Sequence, residues 1–362
     1  MSSSFNIPLL LGGMILTGSS NSLWGKFQDM QCVENCADPD YSKRILYEQP
    51  VWQTLQMFVG EMLCFLPVLC IRLKSLRRLQ PIQLADDDLD HAVKSDASKD
   101  MAGWHVFLFW IPAFCDLIAT TLMNIGLIYT PVSIYQMTRG ALVLFVGVFS
   151  VIFLHHRLRL YQWISLLIVV GGVGLVGSSG SLVSEIIEAP TFHSMINHLV
   201  DGPSNERQLG VVLVGVSLIL FAQVFAAIQF VAEEKIMERY SVTPLVAVGY
   251  EGLFGTISIM LCIPILSIPS ISKLSPFFDL SRGWHQSVDN STVLYSGIAT
   301  AISIAFFNFF GLSVTRHVSA TARSLTDTCR TLSIWIISLG LGWEIFLFPA
   351  SLLQVLGFSL LV

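Results

Sequence analysis

Apolar residues along this chain come in runs of about 20, separated by short polar stretches, the length a helix needs to cross bilayer hydrocarbon. Helix-length windows place such spans near residues 7–24, 51–71, 106–128, 132–154, 160–183, 208–232, 245–268, 292–314, 325–343 and 350–362. Proline falls at the junctions, where its missing donor is tolerated: Pro50 opens the second span, Pro131 separates the third from the fourth, and Pro244 opens the seventh. The tenth run is too short to cross as it stands, so a truncated last helix is expected.

The first run, Ile7 to Trp24, has no basic segment before it and no small-residue cleavage site after it, and reads as a retained helix. Arg72, Lys74, Arg77, Arg78, Arg157, Arg159, Lys235 and Arg239 collect in connections on one side, which makes that side, and the N-terminus with it, cytoplasmic. The acceptor tripeptide Asn290-Ser291-Thr292 then falls on the lumenal side, where Asn290 is a candidate for glycosylation.

Polar positions recur at a nearly constant offset: Glu61 with Glu251 at 190, Asp116 with Asn308 at 192, Arg139 with Arg330 at 191, and Gln162 with Gln354 at 192. The sequence therefore predicts an all-α membrane protein of ten transmembrane helices in a 5+5 inverted repeat: residues 1–183, a lumenal linker 184–207, and residues 208–362 with an incomplete tenth helix. Five is odd, so the halves enter the membrane in opposite directions, a construction that puts substrate sites at the midplane between them.

Composition agrees: 53% of residues are hydrophobic, 12% are charged, and mean hydropathy is +0.68. The net charge of −5 sits in loops and implies no nucleic-acid partner. Cys64, Cys70, Cys115, Cys262 and Cys329 lie in apolar runs as small hydrophobes. Cys32 and Cys36 share a polar loop, where a disulfide and a metal site are both open. The G-x-G-x-x-G of Gly172 to Gly177 sits inside an apolar helix and reads as a packing surface. His155, His156, His193 and His198 have no metal-ligand company in sequence, and no nucleophile, base and oxyanion set can be assembled. Neither an enzyme nor a cofactor or metal is expected.

Seven charges at membrane depth need a reason: Glu61, Asp116, Glu251, Asp327, Arg139, Arg323 and Arg330. Each costs about 2.5–3.5 kcal/mol at a helix centre, so they should face the interior or a wet cavity. Arg323, Asp327 and Arg330 can share one face of the ninth span, as Gln136 and Arg139 can on the fourth. On the functional reading, Gln136, Arg139, Asp116, Asn308, Asp327 and Arg330 contact substrate, the arginines meeting an anionic or carbonyl group. Glu61, Glu251 and Arg323 then couple an ion or pair charges, a Glu61–Arg139 pair being one test, with Asn124 and Gln229 as lesser cavity candidates. On the other reading these groups neutralise one another and fix helix packing.

Several stretches resemble a known family: Gln136-Met137-Thr138-Arg139-Gly140, Val146-Gly147-Val148-Phe149-Ser150, Leu160-Tyr161-Gln162-Trp163, Glu233-Glu234-Lys235, Glu251-Gly252-Leu253-Phe254-Gly255, Ile304 through Phe309, and Ser319 through Glu344. Together they are similar to the solute carrier 35 family, subfamily F, in the drug/metabolite transporter superfamily. The resemblance implies ten helices in a five-plus-five inverted repeat and cytoplasmic termini. It also implies residence in Golgi, lysosome or vacuole, and a cavity lined by helices 1 to 4 and 6 to 9. Leu154-His155-His156-Arg157-Leu158 departs from it, since many relatives have an acidic residue beside the arginine. The expected function is alternating-access transport of a small organic solute, with nucleotide sugar, metabolite and organic cation all open. The rival is a transport-inactive scaffold that binds a protein partner. Expected partners are the lipid bilayer, a small-molecule substrate, and a homodimer mate or protein partner.

Overall fold

The computed structural model describes residues 6–37, 44–47, 49–78, 103–129, 138–157, 159–187, 204–268, 279–343 and 350–361. Helix α1 (Asn6–Asp29) leads into a small hairpin, β1 (Cys32–Glu34) and β2 (Ile45–Leu46), followed by α2 (Pro50–Met62) and α3 (Phe65–Arg78). A 3-10 segment (Gly103–Phe109) opens α4 (Trp110–Tyr129), and α5 (Leu142–Phe153), α6 (Leu160–Ile187) and α7 (Ser204–Arg239) come next. The chain continues through α8 (Pro244–Leu266), α9 (Leu280–Val288), α10 (Ser291–His317), α11 (Ala320–Gly340) and α12 (Ala350–Leu361).

Among the described residues, five stretches are long and apolar enough to cross a membrane: Pro50–Ile71, Gly103–Gly126, Leu213–Arg239, Pro244–Leu266 and Ser291–His317. Leu142–Phe153 and Leu160–Leu175 are shorter apolar helices. The second predicted span is continuous through a turn between α2 and α3, because Pro67 has no N–H to give the Leu63 carbonyl. Pro112 sits in the first turn of α4, where no intrahelical donor is needed. Helix α7 runs to Arg239, past the expected end at residue 232. Glu233, just past that end, is fully buried and continues the helix.

The helices pack in definite pairs: α1 lies along α10 and touches α11, while α7 lies along α4 and touches α5. Helix α2 packs on α8 and α10, α8 also meets α4, α5 meets α11, and α12 lies along α6. Apolar contacts fill the seams, with Leu55, Phe58 and Ile259 between α2 and α8, and Met14, Ile304, Phe307 and Val314 between α1 and α10. The outer surface is apolar too, as lipid demands of a helix's outward face: Leu16 is 71% exposed, Leu160 78% and Trp104 84%.

Close approach of α2 and α8 depends on Gly252, where a Cβ would stand 2.7 Å from the Phe58 carbonyl oxygen and 2.7 Å from the Glu61 Cβ. Without a hydrophobic drive between helices in lipid, such small-residue contacts supply the packing.

At one end of the bundle a polar cap joins the connection after α1 to the one before α10. Cys32 and Cys36 form a disulfide, which resolves the open choice at that pair. Cys32 pairs with Leu46, and Glu34 with Ile45, across the hairpin. Glu34 takes a two-pronged bond from Arg282, Nε at 2.7 Å and Nη2 at 2.6 Å, and a third bond from Gln286 Nε2 at 2.6 Å. Gln49 Nε2 donates to Gln286 Oε1 at 2.9 Å, and the Trp52 and Trp284 rings lie 5.1 Å apart. Asn290 caps α10, accepting from Thr292 N at 3.0 Å, while its Nδ2 donates to the Cys32 carbonyl at 3.2 Å. A glycan on Asn290 would leave from that same nitrogen.

The bond from Arg282, then that from Gln286, holds the Glu34 carboxyl below the ordinary value of 4.5, against the opposing pull of desolvation. Because the folded value is depressed, the clasp's stabilisation is whole above 4.5 and is lost as pH falls through the lowered value. Both side chains are 35% exposed, so the pair contributes about 0.2–1 kcal/mol. The melting temperature of Arg282→Met should lie below that of the unsubstituted protein by a constant gap between about pH 7.5 and 5, closing at lower pH. Gly252→Val should destabilise by about 1–3 kcal/mol through overpacking, read as a lower melting temperature and a diminished monodisperse peak in detergent.

Candidate functional site

Several helices contribute a buried charged side chain to the bundle's interior. Glu61 on α2 is 2% exposed, Glu233 on α7 0%, Glu251 on α8 4% and Arg323 on α11 2%. Asp116 on α4 and Asn308 on α10 are half-buried. The Arg323 guanidinium forms a buried ion pair with Glu233, donating from Nη1 to Oε2, and stacks 4.0 Å from the centre of the Phe230 ring. Asn308 Nδ2 donates to Glu61 Oε1 at 2.5 Å, and Thr120 Oγ1 donates to Asp116 Oδ1 at 3.4 Å. Glu61, Asp116, Glu233, Glu251 and Arg323 all lie within electrostatic range of one another. Four carboxyls thus surround one guanidinium.

Farther along α11, Arg330 Nε stands 2.9 Å from Asp327 Oδ1 as an ion pair one turn apart. Its Nη1 donates to the Gly18 carbonyl of α1 at 3.3 Å, and the guanidinium lies 4.8 Å from the Phe307 ring centre. Cation–π contact and a paired carboxylate are the two ways to hold a guanidinium in a dry interior.

The expected residues are thus partly assembled. Glu61, Asp116, Glu251, Asn308 and Arg323 come together, and Asp327 and Arg330 pair beside them. The hydrogen-bond partner of Glu61 is Asn308. Arg139 is half-buried just before α5, beside Gly140, which packs on Val173. Gln136 lies outside the described residues. Asn124 is half-buried on α4, and Gln229 is buried one turn before Glu233 on α7.

Glu233 is the residue that sequence reasoning missed as a site candidate. Its signal was its place in a quoted motif, one helical turn after Phe230 and abutting an apolar run. A second departure concerns His156, expected to lack ligand company. Its Nε2 lies 3.5 Å from Glu238 Oε1, and Glu234 completes a group whose ligand atoms lie within 4.8 Å of one another. These partners sit some eighty residues away in sequence, which is why spacing did not reveal them.

Residues 48–178 match the EamA-like transporter family. Solute carrier family 35 member F6 of Homo sapiens is 35% identical over 98% of this chain and 86% of its own length. The chain belongs to solute carrier family 35. The Mus musculus member F6 is 33% identical over 98% of this chain and 86% of its own, and a Schizosaccharomyces pombe protein is 34% identical over 96% and 93%. One crystal structure shares the fold, with a TM-score of 0.57 at 14% identity, covering 98% of this chain and 96% of that one. As a solute carrier 35 protein the chain is a multi-pass integral membrane protein of a transporter family.

Removing one partner of a buried ion pair strands the other, at about 3–5 kcal/mol. Arg323→Met should therefore lower the melting temperature steeply, and adding Glu233→Gln should restore most of the loss. Additive losses in that double-mutant cycle, measured by thermal denaturation in detergent, would separate the two side chains energetically.

Proposed function

We propose that this chain is an endomembrane secondary transporter of a small organic solute, working by alternating access between two five-helix halves, residues 1–183 and 208–362, joined by residues 184–207. The observation that carries this is the reciprocity of helix packing. The first half's α1 lies along α10 and touches α11 of the second half, as the second half's α7 lies along α4 and touches α5 of the first. Likewise α2 meets α10 as α8 meets α4, while α2 with α8, α5 with α11 and α6 with α12 are pairs of counterparts. A two-fold axis in the membrane plane generates this exchange of partners, and inverted repeats place their substrate at the interface.

The central polar residues follow the same exchange. Glu61 bonds Asn308, and their counterparts at the repeat offset, Glu251 and Asp116, lie within electrostatic range of each other. Glu61, Asp116, Glu251 and Asn308 with Arg323, Asp327 and Arg330 form the site about which the halves rock, and Gln136 and Arg139 extend it on the fourth span. The Cys32–Cys36 disulfide favours a lumenal face for the hairpin end, since disulfides persist in oxidising compartments. The start of α1, at the opposite end of that helix, is then cytoplasmic.

The test is exchange in proteoliposomes loaded with a cellular small-molecule extract, the external medium being read by mass spectrometry. At least one solute should exchange faster than in protein-free liposomes, and its rate should fall by at least an order of magnitude in Asn308→Ala. Absence of any protein-dependent exchange by monodisperse protein would overturn transport and leave the scaffold reading.

A further inference from the structure

Resting on that transport reading, we propose that the central site takes a cationic organic solute, one bearing a protonated amine or quaternary ammonium group, in contact with Glu251, Glu61 and Asp116. Three observations carry this.

The first is where the positive charges are spent. An anionic solute such as a nucleotide sugar is normally gripped by guanidinium forks or ammonium groups with donors to spare. On α11, Arg323 is held by Glu233 and by the Phe230 ring, with its Nε left without a partner, and Arg330 is held by Asp327, the Gly18 carbonyl and the Phe307 ring. Turning either guanidinium toward a phosphate would strand a buried carboxylate.

The second is what remains. Among the described residues, Glu61, Asp116 and Glu251 form no ion pair with any lysine or arginine. They come from α2, α4 and α8, helices of both halves, and converge on the Glu233–Arg323 pair. The site therefore has an excess of carboxyls over guanidinia.

The third is an orphaned acceptor. Glu251 is 4% exposed, and its Oε1 is buried with no hydrogen-bond partner; Glu233 Oε1 is in the same condition. A buried carboxylate oxygen without a donor is costly. A ligand that brings both positive charge and N–H donors, or positive charge alone, removes that cost. Asp116 and Asn308 of the same cluster are only partly buried.

Sodium carries the same charge without the organic body, so the experiment separates the two sources. The full chain in detergent is screened by thermal shift with choline, spermidine, tetraethylammonium, sodium chloride, UMP and UDP-glucose at matched ionic strength and pH 8. At least one organic cation should raise the melting temperature by a few degrees, as ligand binding to the folded state requires. UMP and UDP-glucose should not. Glu251→Gln should abolish the shift while melting, without ligand, at or above the unsubstituted protein, because it replaces a buried carboxyl that has no cationic partner with a neutral amide. Asp116→Asn serves as a second variant should Glu251→Gln not yield folded protein.

A shift from UMP or UDP-glucose but from no organic cation overturns the assignment, as does a sodium shift equal to the best organic one, the absence of any cation shift, or a shift that survives both variants. The proteoliposome exchange described above is read independently. Exchange of an anionic or neutral solute there overturns the cation assignment and leaves transport standing, whereas absence of exchange removes transport itself.

Discussion

A guanidinium buried in the middle of an apolar helix bundle is the constraint on which the rest of this molecule depends. Arg323 can stay there only because Glu233 comes to it from α7 and the Phe230 ring covers its face. That requirement reaches outward along the chain. Glu233 must be helical and buried, so α7 continues through a charged triplet that would otherwise end it. Its neighbour Glu234 then accepts from the Ala320 amide at 3.1 Å, and Ser319 Oγ accepts from the Ala322 amide at 3.1 Å. Two of the unsatisfied donors at the start of α11 are thereby closed. One pair of consecutive glutamates fixes both the charge of α11 and its point of entry.

The bundle reverses the ordinary relation between inside and outside. Leucine, isoleucine and tryptophan cover the outer faces, while carboxyls, amides and guanidinia gather within. Since lipid gives no hydrophobic reason for helices to associate, contact between backbones and specific bonds between polar groups must do so. Gly252 lets α8 reach the backbone of α2 at the level of Glu61, so the close approach and the carboxyl cluster occupy the same stretch of helix. Packing and polar chemistry are thus not separable along α2 and α8.

Much of this was legible in the sequence because helix length in a membrane is set by a single number, the thickness of the hydrocarbon. Apolar runs marked most of the helices, although α5 begins only at Leu142 and α7 runs on to Arg239, and the recurrence of Glu61 with Glu251 and of Asp116 with Asn308 picked out four side chains that now lie together. What was not legible is pairing. Nothing local distinguishes an Arg323 that will meet Glu233, ninety residues away, from one that will meet Asp327 one turn along. The same holds for Glu34 with Arg282 and for His156 with Glu238, which are joined only by the packing of distant helices. The hairpin and α9 were missed for another reason: both are short and polar, and a window tuned to apolar length passes over them.

Helix α11 shows why such pairings matter more here than in a soluble protein. Its buried positions are Ala320, Arg323, Ser324, Thr326, Asp327, Thr328, Arg330 and Ser338, a face that is almost wholly polar. A greasy face can turn or slide against its neighbours with little change in energy, since one methyl replaces another. This face cannot. Arg323 and Arg330 stand two turns apart on the same side and each is stacked on a ring from a different helix, Phe230 of α7 and Phe307 of α10. A rotation of α11 by one residue, about 100°, would remove both guanidinia from their rings and Arg323 from Glu233, while Asp327, on α11 itself, would turn with Arg330. Buried polar groups are best attested where they specify register, and α11 has them at the two points that fix a helix in both rotation and height. Displacing α11 alone would therefore break its contacts with both α7 and α10.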